Sequence, residues 1–362
     1  MKAIILAAWE WSRLRPLTNT IPKPIIKIFW KSIIEHNLES IYKNVDEIII
    51  VIKYKEKLIK ERLWNSYKWT KIRYKTQGEE NWTAAALFWI KSDEDVLILN
   101  WDTIFNKIDL EKISNFNWYW VLVKEVSNPE KYWVFKVDED WNIMSVVEKP
   151  KEFIWNLANL WVYKFDSKIL DYVNQIEKSE RWEYELTDAI NLYTVNFPFK
   201  PLTVEKEIID ITYPWDILTA NEYFLNKLSE NEIKWEIEEW VTIKWNIVLE
   251  KWAILKSGTY IEWNVYIWKD TKIWPNTYIR WNTVIWEGSK LWNAVEVKNS
   301  SIWDKTNIAH LSYMWDSIIW NNVNIGCWFV TANLRHDKTN IKVPVKWKLT
   351  DTGLYKLWII IW

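Results

Sequence analysis

The chain opens on an apolar run, Ala3 to Ala8, that gives way abruptly to the polar, proline-punctuated stretch EWSRLRPLTNTIPKP. A short continuous apolar run bounded by turn formers reads as a buried strand of a parallel sheet. From residue 25 to about 105 two periods alternate. IIEHNLESIYK and KEKLIKERL have helical spacing, whereas VDEIIIVIKY, KIRYKTQ and VLILN read as strands. This alternation predicts a mostly parallel sheet with helices on both faces. QGEENWTAAAL is expected to leave its strand as a helix, and DILTANEYFLNKL is a further helical stretch.

The period then changes. Starting at Ile237, aliphatic residues recur every six positions: Ile243, Leu249, Leu255, Ile261, Ile267, Ile273, Ile279, Ile285, Leu291 and Val297. Four residues after each lies a mostly small or β-branched side chain, from Val241 to Val295. Such a hexapeptide period builds a parallel β-helix, in which each coil buries its face only by stacking on the next. The register slips at Ile302 and resumes through Ile308, Met314, Ile319 and Ile325. The expectation is a Rossmann-like α/β domain over residues 1–232 and a left-handed parallel β-helix over 233–362. The closing KLWIIIW reads as another strand beginning, with more coils expected to follow.

At 362 residues two domains are the natural prior, and a net charge of −1 leaves no electrostatic footprint for nucleic acid or an anionic membrane. Cys327 stands alone, which argues against a disulfide framework and fits a reducing cytoplasm. Glu10 interrupts the apolar start, so it does not read as a signal peptide, and no stretch reaches transmembrane length.

One feature of the composition is anomalous: 33 tryptophans stand against 5 glycines, where glycine usually supplies about 7% of residues. Tryptophan occupies turn contexts such as LNWD, DEDWN and IEWN, where a residue tolerating positive φ is wanted. Most of these tryptophans therefore read as replacements of glycine in an altered sequence, Trp215 excepted. Within the hexapeptide region none falls on an inward position, so they are expected to point outward from the corners.

The opening segment resembles the signature of the sugar-1-phosphate nucleotidyltransferases, LAAGxG(S/T)R followed by P-x-T and P-K-P. Leu6, Ala7, Ala8, Ser12, Arg13, Pro16, Thr18 and Pro22 to Pro24 match, while Trp9 and Trp11 replace glycines. The resemblance implies that Arg13 and Lys23 act on phosphate, and that Ala8, Gln77 and Thr83 hold a pyrimidine nucleotide, UTP or dTTP, with Trp82 where the family has glycine. It further implies Mg²⁺ on Asp102 and Asp210, and a sugar-1-phosphate held by Tyr132, Glu148, Lys149 and Asn159. From their residues alone, Glu185 and Asp188 read as a solvated helix face.

HLSYMWDSIIWNNVNIG is similar to a segment of the bifunctional enzymes that also carry a glucosamine-1-phosphate acetyltransferase. That likeness implies His310 as general base toward acetyl-CoA chemistry, with Arg280, Lys298, Tyr313 and Asn324 around the sugar phosphate and Asn333 near the cofactor. It also implies a homotrimer. A single-activity thymidylyl- or guanylyltransferase and a nonenzymatic scaffold are the rival readings; Gln77, the histidine segment and the retained Arg13, Lys23, Asp102 and Asp210 weigh against them.

A residue with a Cβ forced into the left-handed region costs about 1–2 kcal/mol. Repeated over half of the tryptophans, this exceeds a typical stability of about 5–15 kcal/mol. The chain is therefore expected to be poorly stable, and a cooperative melt at ordinary mesophile temperatures would contradict that expectation.

Overall fold

The computed structural model describes the whole chain except Asn81, Lys206, Ala332, Asn333, Leu334 and Trp358. Its residues pack into two units: Met1–Glu10 with Ile21–Ile26 and Ser32–Asp210, and Trp11–Thr20 with Lys27–Lys31 and Ile211–Trp362. The hexapeptide repeat begins near 233, but the helix Asp216–Leu225 packs with the second unit. Its Glu222 accepts from Asn282 Nδ2 (2.9 Å), its Leu225 carbonyl accepts from Asn264 Nδ2 (3.0 Å), and its Asn221 accepts from Phe29 N (2.7 Å).

In the first unit, the strands Val96–Asn100, Lys2–Ala7, Glu47–Ile52 and Thr70–Thr76 lie side by side and parallel. Ile4, Ile49 and Ile98 are fully or nearly fully buried in them, as uninterrupted apolar runs require. The helix Ile33–Ile41 starts with a capping box between Ser32 and Glu35, which satisfies two of its first free N–H groups. The rest of the sheet departs from the parallel expectation. Leu157–Phe165 joins Val96–Asn100 antiparallel, and Trp133–Val137 and Ile143–Glu148 continue antiparallel beyond it.

The expected helix after Gln77 does not form. Leu87, Phe88 and Ile90 donate to carbonyls three residues back, and Trp89 ends the run at φ +64°. Lys75 Nζ takes the Ala86 carbonyl at 3.1 Å and also the Phe88 carbonyl, so these oxygens serve an ammonium rather than a helical ladder.

In the second unit the repeat folds as read. Three parallel sheets form the faces of the β-helix, with seven, six and five strands. Pairing proceeds Leu249 to Ile267 to Ile285 in one sheet and Leu255 to Ile273 to Leu291 in the next. The hexad residues are the interior: Leu249, Ile261, Ile273, Ile285, Val297 and Met314 are all 0% exposed. Between Ile285 and Ile302 the coil shortens, which is the slip in the repeat. Ile360–Ile361 adds the last strand of the first sheet, after the antiparallel hairpin Lys342–Val345 and Lys348–Asp351.

The corner tryptophans do point away from the coil interior, but not all meet solvent. Trp268, Trp286, Trp303 and Trp320 stack at 5.2, 5.6 and 4.0 Å between successive rings. Trp286, Trp303 and Trp320 are at most 3% exposed. Lys27 covers the Trp286 ring at 4.9 Å, and Trp320 Nε1 donates to Thr20 Oγ1 at 3.1 Å.

Backbone conformation is where the tryptophans conflict with their surroundings. Among the described residues eleven tryptophans have positive φ, from Trp281 at +43° to Trp263 at +85°. Trp64, which ends the helix Glu56–Leu63, sits at φ +56°, ψ −154°, a region essentially confined to glycine. By contrast Trp215 is helical at φ −68°, buried, and stacked on Tyr213 at 4.6 Å. Trp64→Gly should raise stability by about 1–2 kcal/mol, read as a higher denaturant midpoint at unchanged slope. Trp215→Gly should lower it by about 3–5 kcal/mol. Equal effects of the two changes would refute the distinction.

Candidate active sites

Asp102 follows the strand Val96–Asn100, where its polar groups leave the sheet. The two-residue strand Ile209–Asp210 pairs antiparallel with Thr103–Ile104, and Asp210 lies opposite Thr103. That register brings the two carboxylates together from distant points of the chain. Lys23, held in a short turn after Pro22, is fully buried with its Nζ 3.7 Å from Asp102 Oδ2 and 5.2 Å from the Trp101 ring centre. Burial pushes the Asp102 carboxyl above the ordinary carboxylate range; Lys23 opposes this, and Asp210 adds to it.

A desolvated carboxylate at Asp102 with the exposed Asp210 carboxylate repelling it nearby suits a hard divalent cation, which takes oxygen ligands and keeps substrate phosphate and water as the others. Among the described residues no group of three or more His, Cys, Asp or Glu forms a full cage, so phosphate and water would complete the shell.

The first unit also holds a cavity of about 260 Å³, lined by none of Lys23, Asp102 and Asp210. Trp9, Trp82, Trp133 and Trp161 supply much of its wall, with Thr83 and Glu148. The volume falls below the usual range for small-molecule sites, about 300–1,000 Å³, with four indoles on its wall. Gln77 is buried; its Nε2 donates to the carbonyls of Glu80 (2.8 Å) and Trp82 (3.1 Å), and Oε1 has no partner in the structure. The two carbonyls fix which end of the amide is the donor. Thr83 Oγ1 accepts from Leu186 N at 3.0 Å, and Ala8 is buried at the end of its strand with its carbonyl taking Tyr54 N.

The sugar-site expectations fare unevenly. Glu148 reaches the cavity, where it pairs with Arg181, and Lys149 lies 3.5 Å from the same carboxylate. Tyr132 is exposed and does not line the cavity. Asn159 is turned inward: Oδ1 accepts from Trp161 N (2.8 Å) and Nδ2 donates to the Tyr163 hydroxyl (2.6 Å), at an irregularity in the strand pairing. Both polar atoms thus make a hydrogen bond within its own strand. Glu185 is not on a solvated face, since it is buried, lines the cavity and takes a two-pronged contact from Arg181. Arg181 and Thr187, whose buried Oγ1 has no partner, were not legible in the sequence because neither belongs to a periodic pattern.

In the second unit, Arg280 and Lys298 are register partners on one face of the β-helix, and Tyr313 stands one coil on, opposite Glu296. Arg280 pairs with Glu296 at 2.6 Å. Lys298 is buried between two indoles, with Nζ 3.7 Å from the Trp281 centre and 3.8 Å from that of Trp315. Burial lowers its ammonium to about 8. A cavity of about 570 Å³ is lined by Lys298 and by Lys356, which the sequence reading missed. His310 is exposed at a turn with its ring 5.5 Å from Trp292, and Asn324 is exposed in the strand Asn324–Ile325. Neither lines that cavity, and Asn333 lies outside the described residues. Arg13, with Arg15 and Lys346, lines a different cavity of about 540 Å³.

Residues 2–222 match the nucleotidyl transferase family. A bifunctional protein GlmU of Methanocaldococcus jannaschii is 41% identical over 97% of this chain and 85% of its own length. A bifunctional sugar-1-phosphate nucleotidylyltransferase/acetyltransferase of Sulfurisphaera tokodaii is 37% identical over 99% of this chain and 88% of its own. A crystal structure assigned to a glucose-1-phosphate thymidylyltransferase of Bacillus anthracis shares the fold, with a TM-score of 0.55 at 24% identity over 63% of this chain and 96% of that one. Among the described residues no helix is long and apolar enough to cross a membrane. The chain belongs to the nucleotidyl transferase family, among the bifunctional proteins that join a sugar-1-phosphate nucleotidylyltransferase to an acetyltransferase.

Proposed function

We propose that this chain transfers a nucleotidyl group from UTP or dTTP to a sugar-1-phosphate, and an acetyl group from acetyl-CoA to the amine of glucosamine-1-phosphate. Residues 1–232 serve the first reaction and 233–362 the second, in a cytoplasmic homotrimer. The observation that carries the reading is the Lys23, Asp102 and Asp210 cluster at the carboxyl end of a buried parallel strand, the place where open α/β sheets bind ligands.

In the first reaction a sugar-phosphate oxygen attacks the α-phosphorus, forming a new P–O bond as the bond to pyrophosphate breaks. Such a transfer needs positioning and charge neutralisation more than covalent help. Lys23 offsets developing charge on the phosphates. Gln77 Oε1, buried and unpartnered, accepts the ring N–H of uracil or thymine. Magnesium bound at Asp102 and Asp210 supplies further charge neutralisation at the phosphates. In the second reaction His310 takes a proton from the amine as nitrogen attacks the thioester carbonyl, and the coenzyme thiolate leaves; an imidazole suits this near neutral pH. Arg280 and Lys298, with Lys356 nearby, hold the phosphate as point charges and a planar fork.

The indoles at 9, 11 and 82 are expected to keep nucleotidyl transfer weak in this chain; turnover of about several per second, ordinary for enzymes, would overturn that. With Trp9→Gly, Trp11→Gly and Trp82→Gly in place, Asp102→Asn should cut uridylyl transfer by about 100-fold or more and leave acetyl transfer intact. His310→Ala should cut acetyl transfer by about 10²–10⁴-fold and spare uridylyl transfer. Both activities falling together in either variant would refute the division. Because Lys298 loses its charge as pH rises through about 8, kcat/KM for glucosamine-1-phosphate should fall above that pH. Lys298→Arg, which stays charged, should remove the fall; an unchanged alkaline limb would exclude Lys298 from phosphate binding.

A further inference from the structure

Successive coils of the β-helix turn at equivalent corners eighteen residues apart, and one such corner is occupied in turn by Trp240, Gly258, Asn276 and Ala294, all at positive φ between +57° and +76°. A second runs Trp252, Asp270 and Gly288, at +60° to +68°. At Gly258 a Cβ would come within 2.4 Å of Asn276 Oδ1. Tryptophan therefore recurs with glycine, asparagine and aspartate, and once or twice with alanine, lysine or leucine, at one backbone geometry. Glycine, asparagine and aspartate tolerate it; an indole on a Cβ gains nothing there, and at Trp64 the ψ of −154° excludes even asparagine's usual left-handed well.

The same residue type stands at both proposed sites. Trp9, Trp82, Trp133 and Trp161 line the first unit's cavity, and Trp281 and Trp315 enclose Lys298. One residue type has replaced one other, at corners, helix ends and sites alike, while a helical, packed tryptophan persists at 215. A single codon read in two ways has this signature. UGA differs from the tryptophan codon UGG in its third base and from the glycine codon GGA in its first, and variant genetic codes read it as either amino acid.

We propose that the cell from which this gene comes decodes UGA as glycine, so that its protein carries glycine at these positions. Glycines spelled GGN, such as Gly258 and Gly288, then survive in the sequence as written, and tryptophan spelled UGG survives at 215. Restoring most of the 33 positions returns glycine to its usual share of about 7% or somewhat above. The glycine assignment stands on backbone geometry; the opening of the two cavities rests on the function proposed above.

Mass spectrometry of the protein from its own cells tests the assignment. The tryptic peptide Leu63–Lys68 should carry glycine in place of Trp64, and Glu207–Lys227 should keep its indole at 215. The gene should read UGA at codon 64 and UGG at codon 215. An indole mass in Leu63–Lys68, or UGG at codon 64, overturns the proposal. The two readings fail separately: a glycine-bearing protein that folds but transfers neither nucleotidyl nor acetyl groups overturns the function and leaves the decoding in place.

Discussion

The constraint on which the second unit depends is the left-handed turn that each coil must make. A coil of three short strands closes only if the chain reverses sharply at the corners, and the interior row from Leu249 to Ile325 stays in register only if each corner repeats the last. Glycine meets that requirement without strain, and asparagine and aspartate nearly so. Tryptophan meets it by paying in backbone energy. The first unit shows the same demand where Trp64 ends a helix and Trp161, at positive φ, sits in the pairing irregularity of the strand Leu157–Phe165.

Chemistry is layered on this frame through burial. Lys23 and Asp102 are taken out of water at the end of an apolar strand, so each alters what the other can do, and the nearby Asp210 leaves an excess of carboxylate for a cation to offset. Lys298 follows the opposite course: enclosed by indole faces, it holds its proton less firmly. The same side chain with glycine at 281 and 315 would face an open, better solvated surface, and desolvation is the cause that would disappear.

Much of this was legible in the sequence where period and burial coincide. The hexapeptide row had to face inward because every sixth residue does, and the parallel strands had to be apolar throughout because both faces are covered. Lys23 was readable from its place between two prolines after an apolar strand, whereas Asp102 at a strand end reads equally as a helix cap and drew its role from the family resemblance. The turns after Gln77 were not, because the carbonyls that a helix would use go to Lys75, a contact no local pattern encodes. Arg181, Thr187 and Lys356 escaped notice as isolated polar residues in polar stretches, and the contacts of Asn159 with Trp161 N and the Tyr163 hydroxyl were likewise not encoded in any local pattern. The hairpin within 342–351 is largely exposed and carries no buried face to announce it.

The most direct test of the account is calorimetric titration of UTP with Mg²⁺ into this chain and into one carrying Trp9→Gly, Trp82→Gly, Trp133→Gly and Trp161→Gly. The account predicts a saturable heat only in the second, dependent on Mg²⁺. Equal binding by both chains, or none by a cooperatively folded second chain, would contradict it.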